Sequence, residues 1–547
     1  MQYLKQIDDL VQELKDEIGE SNDPIYNSHI YWAQKPFNIT SKIIKKLTET
    51  SEIVFDPFMG SGVSVIESLR LKEPRKVIGN DINEFPDFFV KSLLNSYDLK
   101  KIRKMFTKFM DDIKEDLQKV YYTKCENCNK TKVADRFEFD FNNNNKILLK
   151  VKYKCRDCYG GNRKPSKIPD ELDKELFNGQ YKIKERFFED LELIENSRIS
   201  VSEGKRISEL FTNRAIYVIN SILEKINNYK NEDFKLFLRF IVASMLHLAK
   251  ITDLRSNSQW LLWHPEKKCL EKNILNLFEK RGRLVFKALN KVCEENLNKI
   301  NKVNNFKELE KNKKAYMLMS EPAQKINSNS IPSKTIDLII TDPPYVDQIP
   351  YSEYMQLYKA FLDTKFNFSD EIIISDSNQR TNKNEKSYFK LMKQVFVNMN
   401  RVLRNDKFLC MYFHDSNLRY WSKLIKIAKK SGFEYINQVH IYKNKKTMKN
   451  ITNPKKSLQG DSIIFFIKKF DLQDRLFDME SKIKEESEKI IKQNEGVTTA
   501  QLYDNGLLKL LIDNDSLELL VDNKIDLVEI FEKYFLFKNG KWHIKNG

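Results

Sequence analysis

No run of apolar residues in this 547-residue chain approaches the ~18 that a membrane span requires, which excludes a membrane-spanning helix as the organising element. The first twenty residues, MQYLKQIDDLVQELKDEIGE, are charged and helix-like and match neither a signal peptide nor a transit peptide. The expectation is a soluble cytoplasmic protein with no membrane partner. Neither GxGxxG nor GK[ST] occurs, so the two glycine patterns that cradle phosphates are missing. No internal repeat is visible. Cysteine is sparse, with seven in all, and four of these form two CxxC pairs. Without a secretory signal, metal binding is favoured over disulfides for those four. The other three, Cys269, Cys293 and Cys410, are scattered.

Hydrophobic residues make up 41% of the chain, enough to bury sizeable cores. Length alone suggests about three or four domains. The 94 Lys and Arg outnumber the 77 Asp and Glu, giving a net charge of +17. An excess of that sign favours a polyanionic partner, nucleic acid first. Enrichment in Lys, Asn and Ile, as an AT-rich genome produces, raises the charge by itself, so charge supports this reading without establishing it.

Patterning predicts an N-terminal helix within residues 1–25 and a second helix capped by Thr40 or Ser41 and running to about Leu47. Ile53-Val54-Phe55 reads as a buried strand, Val63 to Leu71 as a helix, and Lys76-Val77-Ile78-Gly79 as a second strand. This is a βαβ start to a doubly wound sheet. Residues 97–120 read as a basic helix and 166–310 as mostly helical. Strand signals return at 315–319, 336–340, 408–413 and 462–467. The simplest organisation is one α/β domain, residues 26–95 plus 312–470. It is interrupted by a cysteine-bearing ribbon at 121–165 and a helical insertion at 166–311. A mainly helical tail, 471–547, ends in YFLFKNGKWHIK, which looks winged-helix-like. NNNN at 142–145 reads as a hairpin tip.

Asp56-Pro57-Phe58-Met59-Gly60-Ser61-Gly62 lies between a strand and a helix. Glycines there let the backbone turn sharply and approach a ligand closely. Asp81 ends the next strand, 19 residues after Gly62, where an acid accepts hydrogen bonds from ribose hydroxyls. With Pro57 and Phe58 in the turn, a nucleoside ligand without phosphates fits better than a nucleotide. An ordinary βα turn is the bland alternative, which the spaced Asp81 outweighs.

Thr341-Asp342-Pro343-Pro344-Tyr345 ends another strand, where ligands of such sheets bind. The prolines fix φ and the first removes an N–H, leaving nearby carbonyls free to accept. Asp342 adds a carboxylate acceptor, and together they can grip both hydrogens of an amino group. Tyr345 offers a flat face on which an extruded nucleobase can stack. Tyr351, Glu353 and Tyr354 follow within one or two turns and shape either a base pocket or a helix core. His414 and Asp415 end a further strand and read as structural first.

DPFMGSG, Asp81 and TDPPY together resemble the S-adenosylmethionine-dependent amino-methyltransferases of DNA, which methylate adenine N6 or cytosine N4. More narrowly, DPPYVDQIPYSEYMQLYKAFL and SLQGDSIIFFIKK resemble the adenine-specific subgroup that carries an inserted zinc ribbon. The resemblance implies that Asp56, Pro57, Phe58, Gly60, Gly62 and Asp81 bind S-adenosylmethionine. It implies that the segment His29 to Pro36, with Lys35 and Pro36, supports that cofactor. Asp342, Pro343, Pro344 and Tyr345 would hold and activate the target amine. Ser320-Glu321-Pro322-Ala323 loosely matches the family's segment near the cofactor adenine. The partner implied is double-stranded DNA with a flipped base, in a restriction-modification or phage-defence setting with possible cognate proteins. No Pro-Cys pair is present, which disfavours ring-carbon methylation, and no PD…ExK cluster marks a nuclease. The alternatives are an RNA amino-methyltransferase, such as one acting on a tRNA guanine, a cytosine-N4 DNA methyltransferase, or a DNA-binding subunit that has lost catalysis.

Cys125-x2-Cys128 and Cys155-x2-Cys158 flank the predicted hairpin RFEFDFNNNNKILLKVKYK. Four thiolates from two such knuckles suit tetrahedral Zn(2+) and leave no open position for catalysis, so the reading is a structural staple. In the helical insertion Arg255, Asn257, Gln259, Trp260, Trp263, Arg281 and Arg283 carry the groups that read base edges or wedge between bases. Core packing accounts for the tryptophans equally well.

Overall fold

The structure is a computed structural model describing residues 2–31, 34–142, 145–160, 165–199, 201–254, 267–344, 349–375, 377–415, 417–443, 460–468, 479–513, 517 and 526–545. Helix Gln2–Lys15 turns Ile7, Leu10, Val11 and Leu14 inward, the spacing of one helix face. It stops short of residue 20. Ile18–Gly19 instead form a two-residue strand, β1, at an edge of the main sheet. A Cβ at Gly19 would lie 2.8 Å from Pro36 Cγ, so only glycine lets the chain pass there. The next helix spans Phe37–Leu47 and starts before Thr40. Pro36, extended at φ −62°, takes the N-cap position, and the Thr40 hydroxyl donates to the Pro36 carbonyl at 2.9 Å.

Strands β2 (Ile53–Asp56) and β3 (Lys76–Asn80) are parallel and joined by helix Val63–Arg70, as the βαβ reading expects. The chain then leaves the sheet. After helix Leu99–Leu117, strands β4 (Tyr122–Lys124), β5 (Thr131–Asn142), β6 (Asn145–Tyr153), β7 (Ser166–Lys167), β8 (Thr252–Asp253) and β9 (Cys269–Lys272) build a second, antiparallel sheet. Asn142 lies opposite Asn145 at the hairpin end; residues 143–144 of the expected tip lie outside the described residues. The other edge of β5 pairs with β9, so the cysteine ribbon shares a sheet with the segment that follows it. Helices Asn213–Asn227, Glu232–Ala249 and Ile274–Glu294 make up the insertion core. Arg214, buried on the first of these, donates to Glu271 of β9 at 3.0 Å.

The main sheet resumes with β10 (Asn301–Val303), β11 (Ala315–Met319), β12 (Ile336–Thr341), β13 (Leu403–Phe413), β14 (Glu434–Lys443) and β15 (Asp461–Ile467). Among the described residues its nine strands run in the order β1-β14-β15-β13-β12-β2-β3-β11-β10, parallel throughout except for β15. Successive residues feed opposite faces: Val54, Leu338 and Ile340 enter one core and Phe55 and Ile339 the other. Both faces are therefore covered, which is why these strands read as continuous apolar runs. The connection from β2 runs to β3 on one side and that from β12 to β13 on the other. The carboxyl ends of the neighbours β2 and β12 thus open a crevice between diverging crossovers, where ligands of such sheets bind.

The tail contributes helices Met479–Gln493, Thr499–Leu502, Leu508–Asp513 and Leu527–Tyr534, then a hairpin of β16 (Phe535–Lys538) and β17 (Lys541–Ile544). Val497 bridges to Trp542, which is buried against Phe531. Gln438 of β14 donates to the Tyr503 carbonyl at 2.9 Å and ties the tail to the sheet. No described helix is long and apolar enough to cross a membrane.

Candidate active site

The crevice is a solvent-open cleft lined by the strand ends on both sides. One wall is the turn after β2. Gly60 and Gly62 hold positive φ, 47° and 72°. A Cβ on Gly60 would lie 2.9 Å from the Tyr31 ring, and one on Gly62 would lie 2.4 Å from Val90. Both positions therefore require glycine for conformation and for space. Phe58 faces the cleft beside them.

Asp56 closes this turn. Its Oδ1 accepts from the Phe58 N–H at 3.0 Å and from Thr341 Oγ1 at 2.8 Å, and its Oδ2 accepts from Ser64 Oγ at 2.5 Å. Burial raises its carboxyl above the usual range, and these three donors and Lys35 oppose that shift. The Asp56 oxygens are thus spent on the fold of the turn. Asp81, at the end of β3, accepts from the Asn83 N–H at 3.0 Å and from the Gly60 N–H at 3.2 Å. Burial pushes its carboxyl up to about 7; the two N–H groups oppose that, and Asp56 and Glu371 add to it.

The opposite wall is the end of β12. Asp342 and Pro344 line the cleft, while Tyr345 lies outside the described residues. Asp342 Oδ2 pairs with the Lys35 ammonium. Asp342 Oδ1 is buried and accepts no hydrogen bond among the described residues. Pro343 is buried, and the Pro344 carbonyl accepts from Tyr388 Oη at 2.7 Å, which fixes the course of the loop. Lys35, expected to support the cofactor, thus reaches the end of β12. Its ammonium also lies 5.0 Å from the centre of the Tyr412 ring, whose hydroxyl is 3.0 Å from Thr40 Oγ1. Pro36 shapes the helix start rather than the cleft wall.

The remaining candidates divide. Tyr351 faces the cleft and stacks on Tyr31 with ring centres 6.2 Å apart. Tyr354 and Tyr358 turn into the core, Tyr358 against Phe85 at 3.4 Å. Glu353 is buried in an ion pair with Arg380. His414 sits 4.0 Å from Asp461, and Asp415 caps the following turn through the Asn417 N–H. Ala323 and Gln324 line the cleft beyond β11. Gln324 Nε2 donates to the Asp370 carbonyl at 2.8 Å, while its Oε1 is buried and accepts no hydrogen bond among the described residues. The segment singled out by sequence, residues 320–323, stops one residue short of it. Tyr412 and Glu371 also line the cleft, and no local pattern distinguishes them.

Of the recognition candidates, Arg255, Asn257, Gln259, Trp260 and Trp263 lie outside the described residues. Arg281 is not available to read bases. It is buried and donates to Ser244 Oγ at 3.0 Å and to the Ser28 carbonyl at 2.7 Å, where helix Pro24–Asn27 ends. Arg283 is exposed and pairs with Glu279.

Away from the cleft, the Sγ atoms of Cys125, Cys128, Cys155 and Cys158 lie within 4.8 Å of one another. Cys125–Cys158 are 3.9 Å apart and Cys128–Cys155 3.8 Å, too far for disulfides. Zn–S bonds of about 2.3 Å place tetrahedral sulfurs about 3.8 Å apart, so the cluster has the dimensions of a zinc cage.

A family model described as DNA methylase, of the N6/N4 type, matches residues 7–86 and 336–517, the two stretches that carry both walls of the cleft. The Type II methyltransferase M.MjaII of Methanocaldococcus jannaschii is 21% identical over 432 residues, 75% of this chain and 76% of that protein. A solved structure from Thermus thermophilus, described provisionally as a DNA modification methylase, is 12% identical. It covers 31% of this chain and 62% of its own, with a TM-score of 0.16, too slight a likeness to carry structural weight. The family and the archaeal relative support a DNA methyltransferase.

Proposed function

We propose that this chain transfers a methyl group from S-adenosylmethionine to the N6 amino group of adenine in double-stranded DNA, at a specific site. The observation that carries the proposal is Asp342 Oδ1, a buried acceptor without a partner among the described residues, on a side chain that lines the cleft across from the glycine turn. When bound, S-adenosylmethionine supplies a sulfonium methyl. The residues present fit it. Gly60 and Gly62 leave the space a Cβ would fill, Asp81 offers a carboxylate to the ribose, and Gln324 Oε1 offers a buried acceptor to an adenine amine.

An aromatic amine is a poor nucleophile because its lone pair delocalises into the ring. Asp342 Oδ1 and the Pro343 carbonyl, by accepting its two N–H groups, favour a tetrahedral nitrogen whose lone pair points at the methyl. The catalysis is positioning and electrostatics, without a covalent enzyme intermediate. The Asp342 side chain is only 13% exposed, so a base stacked in a duplex must leave the helix to reach it, with Tyr351 as an aromatic surface to receive it. We assign the cysteine cluster to structural zinc and the insertion to target recognition. Restriction-modification or phage defence is the setting we propose, in keeping with the relative named a Type II methyltransferase.

The test is methyl transfer from labelled S-adenosylmethionine to unmodified genomic DNA and, separately, to total RNA, followed by single-molecule sequencing of the DNA. Label at adenine N6 within a defined motif is the expected result. Label at cytosine N4 would keep the site and change the base, and label only in RNA would overturn the DNA reading. Asp342→Ala is expected to abolish transfer and leave cofactor binding intact.

A further inference from the structure

We propose that Lys35 is a positioning residue for the target amine: its ammonium holds one oxygen of Asp342 so that the other is left as the carboxylate's acceptor for the amine. This rests on the function proposed above. Three observations carry it. The Lys35 ammonium pairs with Oδ2, Oδ1 is left buried with no hydrogen bond among the described residues, and both side chains are only 13% exposed. A carboxylate has a broad terminal torsion, so unrestrained it also samples orientations in which neither of its equivalent oxygens meets the amine squarely. Charge on one oxygen alone removes that freedom.

The ammonium is itself held. Pro36 fixes the backbone beside Lys35 at the start of helix Phe37–Leu47, and the Tyr412 ring lies 5.0 Å from Nζ. Tyr412 in turn meets Thr40 of the same helix. Lys35 just before helix Phe37–Leu47, Thr40 within it and Tyr412 on β13 thus form one support for Asp342. The pairing also compensates a carboxylate whose side chain is largely buried and would otherwise lack a counter-charge. A lysine serving the cofactor instead would leave Asp342 without that cation.

The experiment compares Lys35→Met, Lys35→Arg, Asp342→Asn and the double variant Lys35→Met/Asp342→Asn in the full-length protein. It reads kcat at saturating DNA and the S-adenosylmethionine Kd by calorimetry. Lys35→Met is expected to lose about 10- to 100-fold in kcat with cofactor Kd within about threefold of wild type. Lys35→Arg, which keeps the charge, is expected to recover most of the loss. An amide oxygen at position 342 accepts an N–H without needing a cation, so Lys35→Met should cost nothing further in the Asp342→Asn background. A cofactor Kd that rises as far as kcat falls would overturn the proposal, as would equal losses in both backgrounds. If Asp342→Asn is too slow to measure, the split between kcat and Kd and the arginine recovery decide, and failure of either overturns it. Wild-type methylation of cytosine leaves the inference standing; no transfer by wild type to DNA overturns both it and the function it rests on.

Discussion

The Thr341 hydroxyl donates to Asp56 Oδ1 at 2.8 Å, joining positions 285 apart in sequence. That one bond ties the end of β12 to the end of β2, so the Asp342-Pro343-Pro344 loop and the glycine turn are set against each other directly. Thr341→Val keeps the shape and removes the donor. It removes one of the two donors to a buried carboxylate oxygen, at a cost of about 1–3 kcal/mol. The expected outcome is a lower melting temperature together with weaker S-adenosylmethionine binding, read by thermal denaturation and calorimetry. Unchanged values in both would mean that the two walls are held independently.

Asp81 sets a pH dependence whose sign is determined. Burial raises its carboxyl to about 7 in the free protein. In the proposed function ribose hydroxyls donate to the ionised form, so binding the cofactor would release a proton, and affinity is expected to rise with pH until Asp81 is fully ionised. With a free-protein value near 7, binding at pH 8 should be about tenfold tighter than at pH 6. For the free protein the sign is opposite. The stability due to this raised group is full below the ordinary carboxylate range of about 4 and is lost as pH rises through about 7. Asp81→Asn is expected to bind more weakly and without this pH slope, and a slope retained in Asp81→Asn would place the titrating group elsewhere.

Both walls of the cleft were legible in the sequence for a local reason. Gly60, Gly62, Pro343 and Pro344 each constrain their own backbone, and Asp56, Asp81 and Asp342 stand at strand ends that apolar runs mark out. What escaped depends on distant partners. Strand β14, EYINQVHIYK, is polar enough to hide, and β1 is two residues whose strand character comes only from pairing with it. Lys35 reads as a cofactor residue from its neighbours, and only the fold carries its ammonium to Asp342. Arg281 looks like a base reader until the helix turns it toward the open carbonyls of helix Pro24–Asn27. A helix sequence gives the spacing of its faces without saying which polar residue will be needed inside.

The cysteine cluster makes a separable prediction. Cys125 and Cys155 are buried, and Tyr153 Oη donates to Cys125 Sγ at 3.6 Å, packing the hairpin onto the cage. The purified protein is expected to carry one zinc per chain by elemental analysis. Cys125→Ser should lose the metal and several kcal/mol of local stability. Because β5 also pairs with β9, and Glu271 of β9 holds Arg214, the damage should spread into the insertion. DNA affinity should therefore fall while S-adenosylmethionine binding, which we assign to the main sheet, is kept. Zinc-free protein with normal DNA binding would remove the cage from the recognition surface.

The last prediction concerns a charge cluster behind the cleft. Arg380 is fully buried between two carboxylates. It pairs with Glu353, its Nε 3.0 Å from Oε1, and its Nη1 lies 2.7 Å from Glu371 Oε2. Asn196 of the insertion donates to the same Glu353 oxygen at 2.9 Å, and Glu371 itself lines the cleft. Arg380 therefore clamps the segment bearing Glu371 and Ile372 onto helix Tyr351–Leu362, whose first residue faces the cleft. Removing the cation leaves two acids facing each other without water, so Arg380→Met should cost about 3–5 kcal/mol. Replacing all three with Glu353→Leu, Arg380→Met and Glu371→Leu removes the uncompensated charges and is expected to return most of the melting temperature. It also deletes the Glu371 carboxylate, which accepts from the Ser352 N–H at 3.0 Å and raises Asp81. The triple variant should therefore fold yet bind the cofactor with its pH dependence shifted toward lower pH. Recovery of stability without that shift would mean that Glu371 supports the wall and has no electrostatic hold on Asp81.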